Sequence, residues 1–223
     1  MTKQLFISAL VKYFSGIAAL MILTFIPAGT FAYRQAWLLL GIQFIPMFIA
    51  GVVMMIKSPE LLKKRLNMRE SESEQKYVIL YSAIMFIAMF VSAGLSYRFN
   101  FLMIPYTGSL IASAVLLVGY ILWAEVLREN EYLSRTIEVQ ENQKVIDTGL
   151  YGVVRHPMYM ATLLIFLSMP LILGSVIAFL ISLVYLPIIA KRIRNEEEVL
   201  EEGLEGYKEY KQKVRYRLIP YIW

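Results

Sequence analysis

Long apolar runs alternate with short polar segments along the 223-residue chain. A fifth and last run, residues 157–190, carries no charge and is too long for one ordinary membrane span. Pro170 and the Leu-Gly-Ser sequence at 173–175 divide this run, which predicts a tight helix-turn-helix hairpin. The pattern therefore predicts an all-α, polytopic transmembrane protein with about six membrane helices, the last two forming the hairpin. The first four runs, each near the roughly 20 residues that cross a hydrocarbon core, are residues 5–28, 35–56, 77–97 and 106–124.

Composition agrees with this pattern, because 58% of the residues are hydrophobic and only 17% are charged. A soluble domain usually carries about 25% charged residues. The chain has no cysteine, which excludes disulfides, thiolate nucleophiles and cysteine-bound metals, and we expect no metal cofactor. The first apolar run is longer than the roughly 7–15-residue core of a signal peptide, and no clear small-x-small cleavage site follows it. We therefore interpret it as a retained membrane helix.

Basic residues predict the orientation of the chain. Of the 22 Lys and Arg residues, 20 lie at the N-terminus, in residues 57–76, in residues 125–156 or from residue 191 onward. Arg34 and Arg98 lie in the other connections, and all 17 acidic residues lie with the group of 20. The positive-inside rule then predicts cytoplasmic N- and C-termini. The net charge of +5 fits orientation and contact with anionic lipid headgroups, so it does not call for a nucleic-acid partner.

Two regions differ in character. Residues 1–124 hold four transmembrane helices and a polar cytoplasmic loop at 57–76, for which an amphipathic interfacial helix and a solvated connector are both compatible with the sequence. Residues 125–223 hold nearly all the polar chemistry, in a cytoplasmic loop, the hairpin and a cytoplasmic tail. The tail is expected to leave the membrane as a helix that breaks near Gly203 or Gly206. The apolar residues of the 57–76 loop are Leu61, Leu62, Leu66 and Met68.

Polar residues cluster at the predicted cytoplasmic end of the hairpin. Proline is favoured in the first helical turn, where its missing N–H would be unpaired anyway, so the hairpin is predicted to begin at Pro157 with His156 at its edge. A helix N-terminus favours anions, and Arg155 beside the chain's only histidine would strengthen such a site. Arg192 and Glu196, four residues apart, share one face of the last helix. Taken singly, these residues are also compatible with a helix cap and a topology-fixing stop-transfer cluster.

Several motifs follow one another in the second region. They are Gly149-Leu150-Tyr151, Arg155-His156-Pro157-Met158-Tyr159, the apolar hairpin, Glu196-Glu197 with Leu200, and a closing Tyr-x-x-Tyr and Pro. This order resembles the isoprenylcysteine carboxyl methyltransferase and phospholipid N-methyltransferase superfamily of integral-membrane methyltransferases. The resemblance covers roughly residues 125–220, whereas the first four spans match in character only. Ala161 stands where the family usually has glycine, and Leu150 where it commonly has proline.

The resemblance implies an S-adenosylmethionine-dependent methyltransferase that acts on a lipophilic or lipidated acceptor from the cytoplasmic face of the bilayer. It implies Arg192, Glu196 and Glu197 as catalytic residues, with Arg192 facing the acceptor. An arginine can hold a carboxylate bidentately without a general base, which favours isoprenylcysteine-type O-methylation. An amine acceptor, as in a phospholipid N-methyltransferase, would instead need Glu197 or a tyrosine to take its proton. The implied cofactor contacts are Gln140, Gln143, Lys144, Val145, Ile146, Tyr151, Arg155, His156, Pro157, Met158, Tyr159 and Glu196.

Two other classes remain open. Membrane sterol and enone reductases share an HPxY-like element, and an NADPH-binding site would use basic residues such as Lys144, Arg155, Arg192 and Arg194. A transporter or scaffold would be expected to carry charged or broken helices at the bilayer midplane. No charge falls in the middle of a predicted span, and Lys12 lies near the end of one. A soluble Rossmann-type methyltransferase is excluded, since the chain has no strand–GxGxxG–helix unit.

Overall fold

The computed structural model describes residues 3–66, 73–134, 137 and 139–223, and this part of the chain is helical with irregular connections. A single 3₁₀ turn, Gly149–Gly152, precedes the hairpin. The α-helices are α1 (Lys3–Ala28), α2 (Arg34–Lys57), α3 (Pro59–Leu66), α4 (Ser73–Phe99), α5 (Tyr106–Glu129), α6 (Pro157–Ile172), α7 (Val176–Ser182), α8 (Tyr185–Gly203) and α9 (Tyr207–Lys213).

The predicted polytopic helical class is confirmed. Helix α6 is apolar but has 16 residues, fewer than the about 20 that a perpendicular span needs. The hairpin therefore has one short arm, α6, and one long arm, α7 followed by α8. The segments that are long and apolar enough to cross a membrane are Gln4–Ala28, Arg34–Lys57, Tyr77–Phe99, Tyr106–Glu129 and Val176–Gly203.

The predicted amphipathic loop contains a short helix, α3. Leu62 of α3 is buried, whereas Lys63 is exposed, so the helix has an apolar and a polar face. The Arg65 guanidinium lies over the Trp123 ring of α5, with its Cζ 5.6 Å from the ring centroid. Helix α3 thus packs against the end of α5. The rest of the predicted loop from 67 to 72, including Met68, lies outside the described residues.

The hairpin turns where the sequence predicted. Gly174 has a φ of +80°, a left-handed conformation that glycine adopts without steric cost. The hydroxyl of Ser175 accepts a hydrogen bond from a backbone N–H in the first turn of α7, at 3.1 Å. The Tyr33 hydroxyl donates to the Leu173 carbonyl at 2.5 Å, and the Ser175 hydroxyl donates to Ser96 Oγ at 2.8 Å. These bonds fix the turn to the first four spans.

Proline explains the break between α7 and α8. Pro187 has no N–H to donate to the carbonyl of Leu183, four residues earlier. Leu186 N donates to that carbonyl instead, at 3.0 Å, in a tighter i to i−3 turn. Helix α8 begins after this turn, and its polar half, which includes Arg192 and Glu196, lies beside the first turns of α6, where both are linked to Tyr159.

Small residues let α5 and α6 approach closely. A Cβ added to Gly119 of α5 would lie 2.8 Å from Cγ1 of Ile165 and 3.2 Å from the carbonyl oxygen of Ala161. Ala161, the residue that replaces the usual family glycine, is fully buried in this contact. The packing holds the first turn of α6 beside the end of α5, where the polar site forms.

The tail breaks at both predicted glycines. Helix α8 ends at Gly203, and Gly206, with a φ of +81°, precedes α9. After α9 the chain returns to the membrane helices, where Leu218 and Trp223 pack in an apolar cluster with Leu163 of α6 and other side chains. The returning segment therefore lies beside the entry to α6.

Candidate active site

Arg155 and His156 meet the carboxylate of Glu197 where α6 begins. Nε of Arg155 donates to Oε1 of Glu197 at 2.8 Å, and Nε2 of His156 lies 3.2 Å from the same oxygen. The side chains are 4%, 4% and 2% exposed, respectively. Pro157 occupies the first turn of α6 as predicted, and His156 is the N-cap residue, although its side chain does not cap the helix. The imidazole is therefore turned towards Glu197.

The Arg217 guanidinium joins the cluster that Arg155, His156 and Glu197 form. Nε of Arg217 donates to the other carboxylate oxygen of Glu197, Oε2, at 2.9 Å. Lys211 Nζ lies 3.9 Å from Oε2 and also pairs with Glu201. Breaking a buried ion pair by removing one partner is costly, because it leaves an uncompensated charge. Two guanidinium groups against one carboxylate leave the cluster with excess positive charge.

Tyr159 connects the two arms of the hairpin. Its hydroxyl donates to Oε2 of Glu196 at 2.5 Å and accepts a hydrogen bond from Nε of Arg192 at 2.9 Å. Arg192 and Glu196 thus share one face of α8, as their spacing predicted. The three side chains form a polar strip across the space between α6 and α8.

Tyr151 lies on the opposite side of the same space. Its hydroxyl accepts a hydrogen bond from Nδ2 of Asn130 at 2.8 Å, and its backbone carbonyl accepts one from the Tyr210 hydroxyl at 2.8 Å. Burial raises the pKa of the Tyr151 phenol well above its ordinary value. The phenol is consequently neutral at physiological pH and keeps its proton as a hydrogen-bond donor.

The loop before Tyr151 is braced by its own amides. Gln140 Nε2 donates to the carbonyl of Tyr132, and Gln140 N donates to Oε1 of Gln143 at 2.8 Å. The side chain of Gln140 is therefore used to shape the loop. The next part of the loop lines the site, through Gln143, Lys144, Val145 and Ile146.

A glycine fixes the turn that delivers Tyr151. Gly149 has a φ of +49°, and a Cβ there would lie 2.2 Å from Oε1 of Glu129. The same carboxylate accepts hydrogen bonds from the Thr148 hydroxyl at 2.9 Å and from Leu150 N at 3.2 Å. Only a residue without a side chain leaves room for Glu129, so the end of α5 clamps the turn.

These groups surround a cavity of about 790 Å³. Its polar lining comes from the loop between α5 and α6, the first turn of α6, the polar half of α8 and α9. Its apolar lining comes from α2, α4, α5, α6 and α8, through Met47, Val78, Ile79, Ala83, Phe86, Trp123, Ile165, Phe166, Tyr185 and Ile189. Ile79 and Ala83 of α4 keep an exposed surface, so they are not packed against another helix along this wall.

Most of the predicted site residues line this cavity. Those that do are Gln143, Lys144, Val145, Ile146, Tyr151, Arg155, His156, Met158, Tyr159, Arg192 and Glu196. Gln140, Pro157 and Glu197 are not among the lining residues: the first braces the loop, the second starts α6, and the third holds the buried cluster.

Several residues of the site were not predicted from the sequence to belong to it. Asn130, Tyr132 and Arg65 line the cavity without belonging to a motif. Tyr207 and Tyr210, the closing Tyr-x-x-Tyr, also line it, and their spacing of one helical turn was the signal available. Local spacing could not reveal two further contacts, because the partners are distant in sequence. Arg217 pairs with Glu197, and Glu129 packs against Gly149.

A comparison with known families gives a match that covers much of the second region. Residues 109–202 match the isoprenylcysteine carboxyl methyltransferase (ICMT) family. The resemblance predicted from the sequence is confirmed for this segment, which begins near the start of α5 and ends near the end of α8. It contains the RHPxY residues, Arg192 and both glutamates of the site, whereas α1 to α4 and residues 203–223 lie outside the match.

The chain is also similar to a reductase. Delta(14)-sterol reductase TM7SF2 of Mus musculus is 30% identical to it over 91 residues, which is 40% of this chain. The match spans only 22% of the length of that reductase. The similarity therefore concerns one segment and not the whole of either protein.

Proposed function

We propose that this chain is an integral-membrane methyltransferase that transfers a methyl group from S-adenosylmethionine to a lipophilic acceptor, an isoprenylcysteine-type carboxylate. One observation carries the proposal: a single cavity is lined both by the RHPxY segment with Glu196 and by apolar side chains of the membrane spans. Its volume of about 790 Å³ lies within the range of about 300–1,000 Å³ that is usual for small-molecule sites. The family match over residues 109–202 supports the reaction class.

The residues present fit the cofactor. The excess positive charge around Arg155 and His156, at the start of α6, suits its amino-acid carboxylate. The Glu196 carboxylate suits its amino group or ribose hydroxyls, and Tyr151 with Asn130 offers further hydrogen bonds. When bound, S-adenosylmethionine supplies a methyl group already activated by its sulfonium centre.

Glu197 has a positioning role in this account. Its two oxygens already interact with Arg155, His156 and Arg217, so it is poorly placed to accept a proton from an amine. A carboxylate acceptor has no proton to lose and needs no base. This difference supports O-methylation over the N-methylation of a phospholipid amine.

Arg192 is proposed to hold the acceptor carboxylate. It lines the cavity, and its Nε bond to the Tyr159 hydroxyl orients the guanidinium between α6 and α8. A planar guanidinium can grip a carboxylate through two parallel bonds, which fixes direction as well as distance. Orientation of this kind can supply about 7–11 kcal/mol of barrier reduction in favourable cases.

The acceptor's apolar part is proposed to lie along the apolar lining and to enter from the bilayer. Ile79 and Ala83, one turn apart on α4, are part of the cavity wall and offer it exposed apolar surface. With the orientation that the basic residues predict, the polar part of the site would lie at the cytoplasmic face.

A second candidate is an NADPH-dependent reductase. Similarity to Delta(14)-sterol reductase TM7SF2 favours it, as do the basic residues Arg65, Lys144, Arg155 and Arg192 in the cavity lining. Such an enzyme would have to bind the phosphates of NADPH, for which these cations are suitable in kind. The family match and the Glu196 carboxylate at the centre of the polar strip favour the methyltransferase.

Calorimetric titration of the detergent-purified protein with S-adenosylhomocysteine and with NADPH tests the two candidates. We expect micromolar binding of S-adenosylhomocysteine, lost or strongly weakened in His156→Ala and Glu196→Ala. Glu198→Ala is the matched control, because this glutamate is exposed on α8 and outside the cavity lining. Binding of NADPH alone would replace the methyltransferase proposal with the reductase.

A further inference from the structure

The returning segment, residues 214–223, is bonded to the first residues of the site. Arg155 N donates to the Tyr216 carbonyl at 2.9 Å, and His156 N donates to the Arg217 carbonyl at 2.8 Å. These successive bonds lay the two stretches of backbone side by side. The position of His156 therefore depends on the returning segment as well as on α6.

The side chain of Arg155 reinforces this attachment. Its Nη1 donates to the carbonyls of Val214 at 2.6 Å and Arg215 at 2.9 Å, while its Nε donates to Glu197. The guanidinium is thus fully directed between α8 and the returning segment. The orientation of the Arg155 guanidinium beside the cavity therefore depends on both α8 and the returning segment.

Arg217 anchors the opposite side of Glu197. It holds Oε2 at 2.9 Å, which leaves Oε1 for Arg155 and His156. The Arg217 guanidinium is itself placed over the Trp223 ring, with Cζ 5.5 Å from the ring centroid. Trp223 packs against the apolar cluster of the membrane helices, so Arg217 is also in contact with that packing.

We propose that Arg217 is a positioning residue of the cofactor pocket: through Glu197 it fixes the side chains of Arg155 and His156 in the orientation that binds the cofactor. It lies outside residues 109–202, the segment that matches the family. The inference rests on the proposed function for the identity of the ligand. The positioning itself concerns the chain alone and can be measured without a ligand.

The test uses five variants and two measurements. Arg217→Gln removes the ion pair, and Arg217→Lys keeps the charge. Arg215→Gln is the matched control, because it makes the same change of charge two residues away at an exposed side chain. Glu197→Gln alone and Glu197→Gln together with Arg217→Gln complete a double-mutant cycle. The measurements are affinity for S-adenosylhomocysteine by calorimetry and the ¹³C-labelled imidazole signal, which is single because the chain has one histidine.

We expect Arg217→Gln to weaken S-adenosylhomocysteine binding by about five- to tenfold, within the range of coupling seen in one hydrogen-bond network. It should also move the imidazole signal of the ligand-free protein. Arg217→Lys should recover part of both effects, and Arg215→Gln should show neither. In the Glu197→Gln background, Arg217→Gln should have no further effect on affinity, since there is no carboxylate left to position.

Three results would overturn the inference. One is an unchanged imidazole signal and unchanged affinity in Arg217→Gln, even if its Tm falls, because Arg217 would then be a structural tether only. Another is an equal effect of Arg215→Gln. The third is a further loss from Arg217→Gln when Glu197 is already glutamine. If the wild-type protein binds no S-adenosylhomocysteine, the methyltransferase proposal fails, and the ligand-free imidazole signal still decides whether Arg217 positions His156.

Discussion

Glu197→Gln is expected to destabilise the fold strongly, unlike the same change at its two neighbours in sequence. The substitution keeps nearly the same shape and removes only the negative charge. Glu197 is 2% exposed and pairs with the buried Arg155 guanidinium, so its loss leaves a buried cation without its counter-charge. His156 and the partly exposed Arg217 lose the same partner. Glu196 lines the cavity and Glu198 is exposed, so neither removal strands a buried charge.

The magnitude follows from the cost of breaking a buried ion pair, about 3–5 kcal/mol when one partner is removed. For a chain of this length, 1 kcal/mol shifts Tm by roughly 2–4 °C, which gives a loss of about 6–20 °C. Glu196→Gln and Glu198→Gln should shift Tm by less than about 3 °C, in the range of ordinary surface changes of about 0.5 kcal/mol.

Thermal unfolding in detergent, followed by the fluorescence of the three tryptophans, measures these shifts side by side. Titration of the same samples with S-adenosylhomocysteine, at 20 °C below each Tm, measures their affinity for this ligand. Glu196→Gln should lose affinity while keeping its Tm. A Tm for Glu197→Gln within a few degrees of wild type would refute the idea that this carboxylate balances a buried cluster. So would a Glu198→Gln variant that is equally destabilised.

Three further predictions concern the polar strip and the close backbone contacts. Tyr159→Phe removes the hydroxyl that joins Arg192 and Glu196 of α8. In a steady-state methyl-transfer assay it should lower kcat roughly 10- to 100-fold, with little change in Tm. An unchanged kcat would contradict the role of the polar strip. Gly149→Ala should cost at least the about 1–2 kcal/mol of a left-handed residue, and its Cβ would also push the Glu129 carboxylate away from its hydrogen bonds with Thr148 and Leu150, whereas Gly41→Ala, with nothing within 4 Å, should not lower Tm. Gly119→Val should cost about 1–3 kcal/mol by overpacking the contact between α5 and α6, and equal Tm values for this variant and Gly51→Ala, which has open space, would contradict that close approach.

The membrane helices could be predicted because the length of each apolar run in the sequence gives the length of the helix. The Leu-Gly-Ser sequence marked the turn of the hairpin and Pro157 marked its beginning, since glycine and proline act through local backbone geometry. The prediction was wrong for Pro170, which lies inside α6 and does not end it. The break between α7 and α8 is a local effect of Pro187 in a run that otherwise reads as one apolar arm. Hydropathy alone does not detect such a break.

The site could be predicted only as far as its residues are neighbours in sequence. Glu196 and Glu197 are alike in sequence, but about 100° of rotation per residue turns one to the cavity and the other to the returning segment. Glu197 is the buried one, against partners such as Arg155 and Arg217 that are distant in sequence, and this pairing is set by tertiary structure. The same holds for Glu129, whose carboxylate occupies the space that Gly149 leaves.

The most direct test of the proposed reaction is methyl transfer itself. The purified protein, reconstituted in phospholipid vesicles, is incubated with S-adenosylmethionine labelled in its methyl group and with a farnesylated cysteine carrying a free carboxylate. The proposal predicts label in the lipid extract that depends on the farnesylated acceptor, that alkali releases as methanol because the product is an ester, and that Arg192→Ala abolishes. Label that survives alkali and depends on the vesicle amine would contradict the carboxylate acceptor, and absence of transfer together with NADPH binding would contradict the methyltransferase.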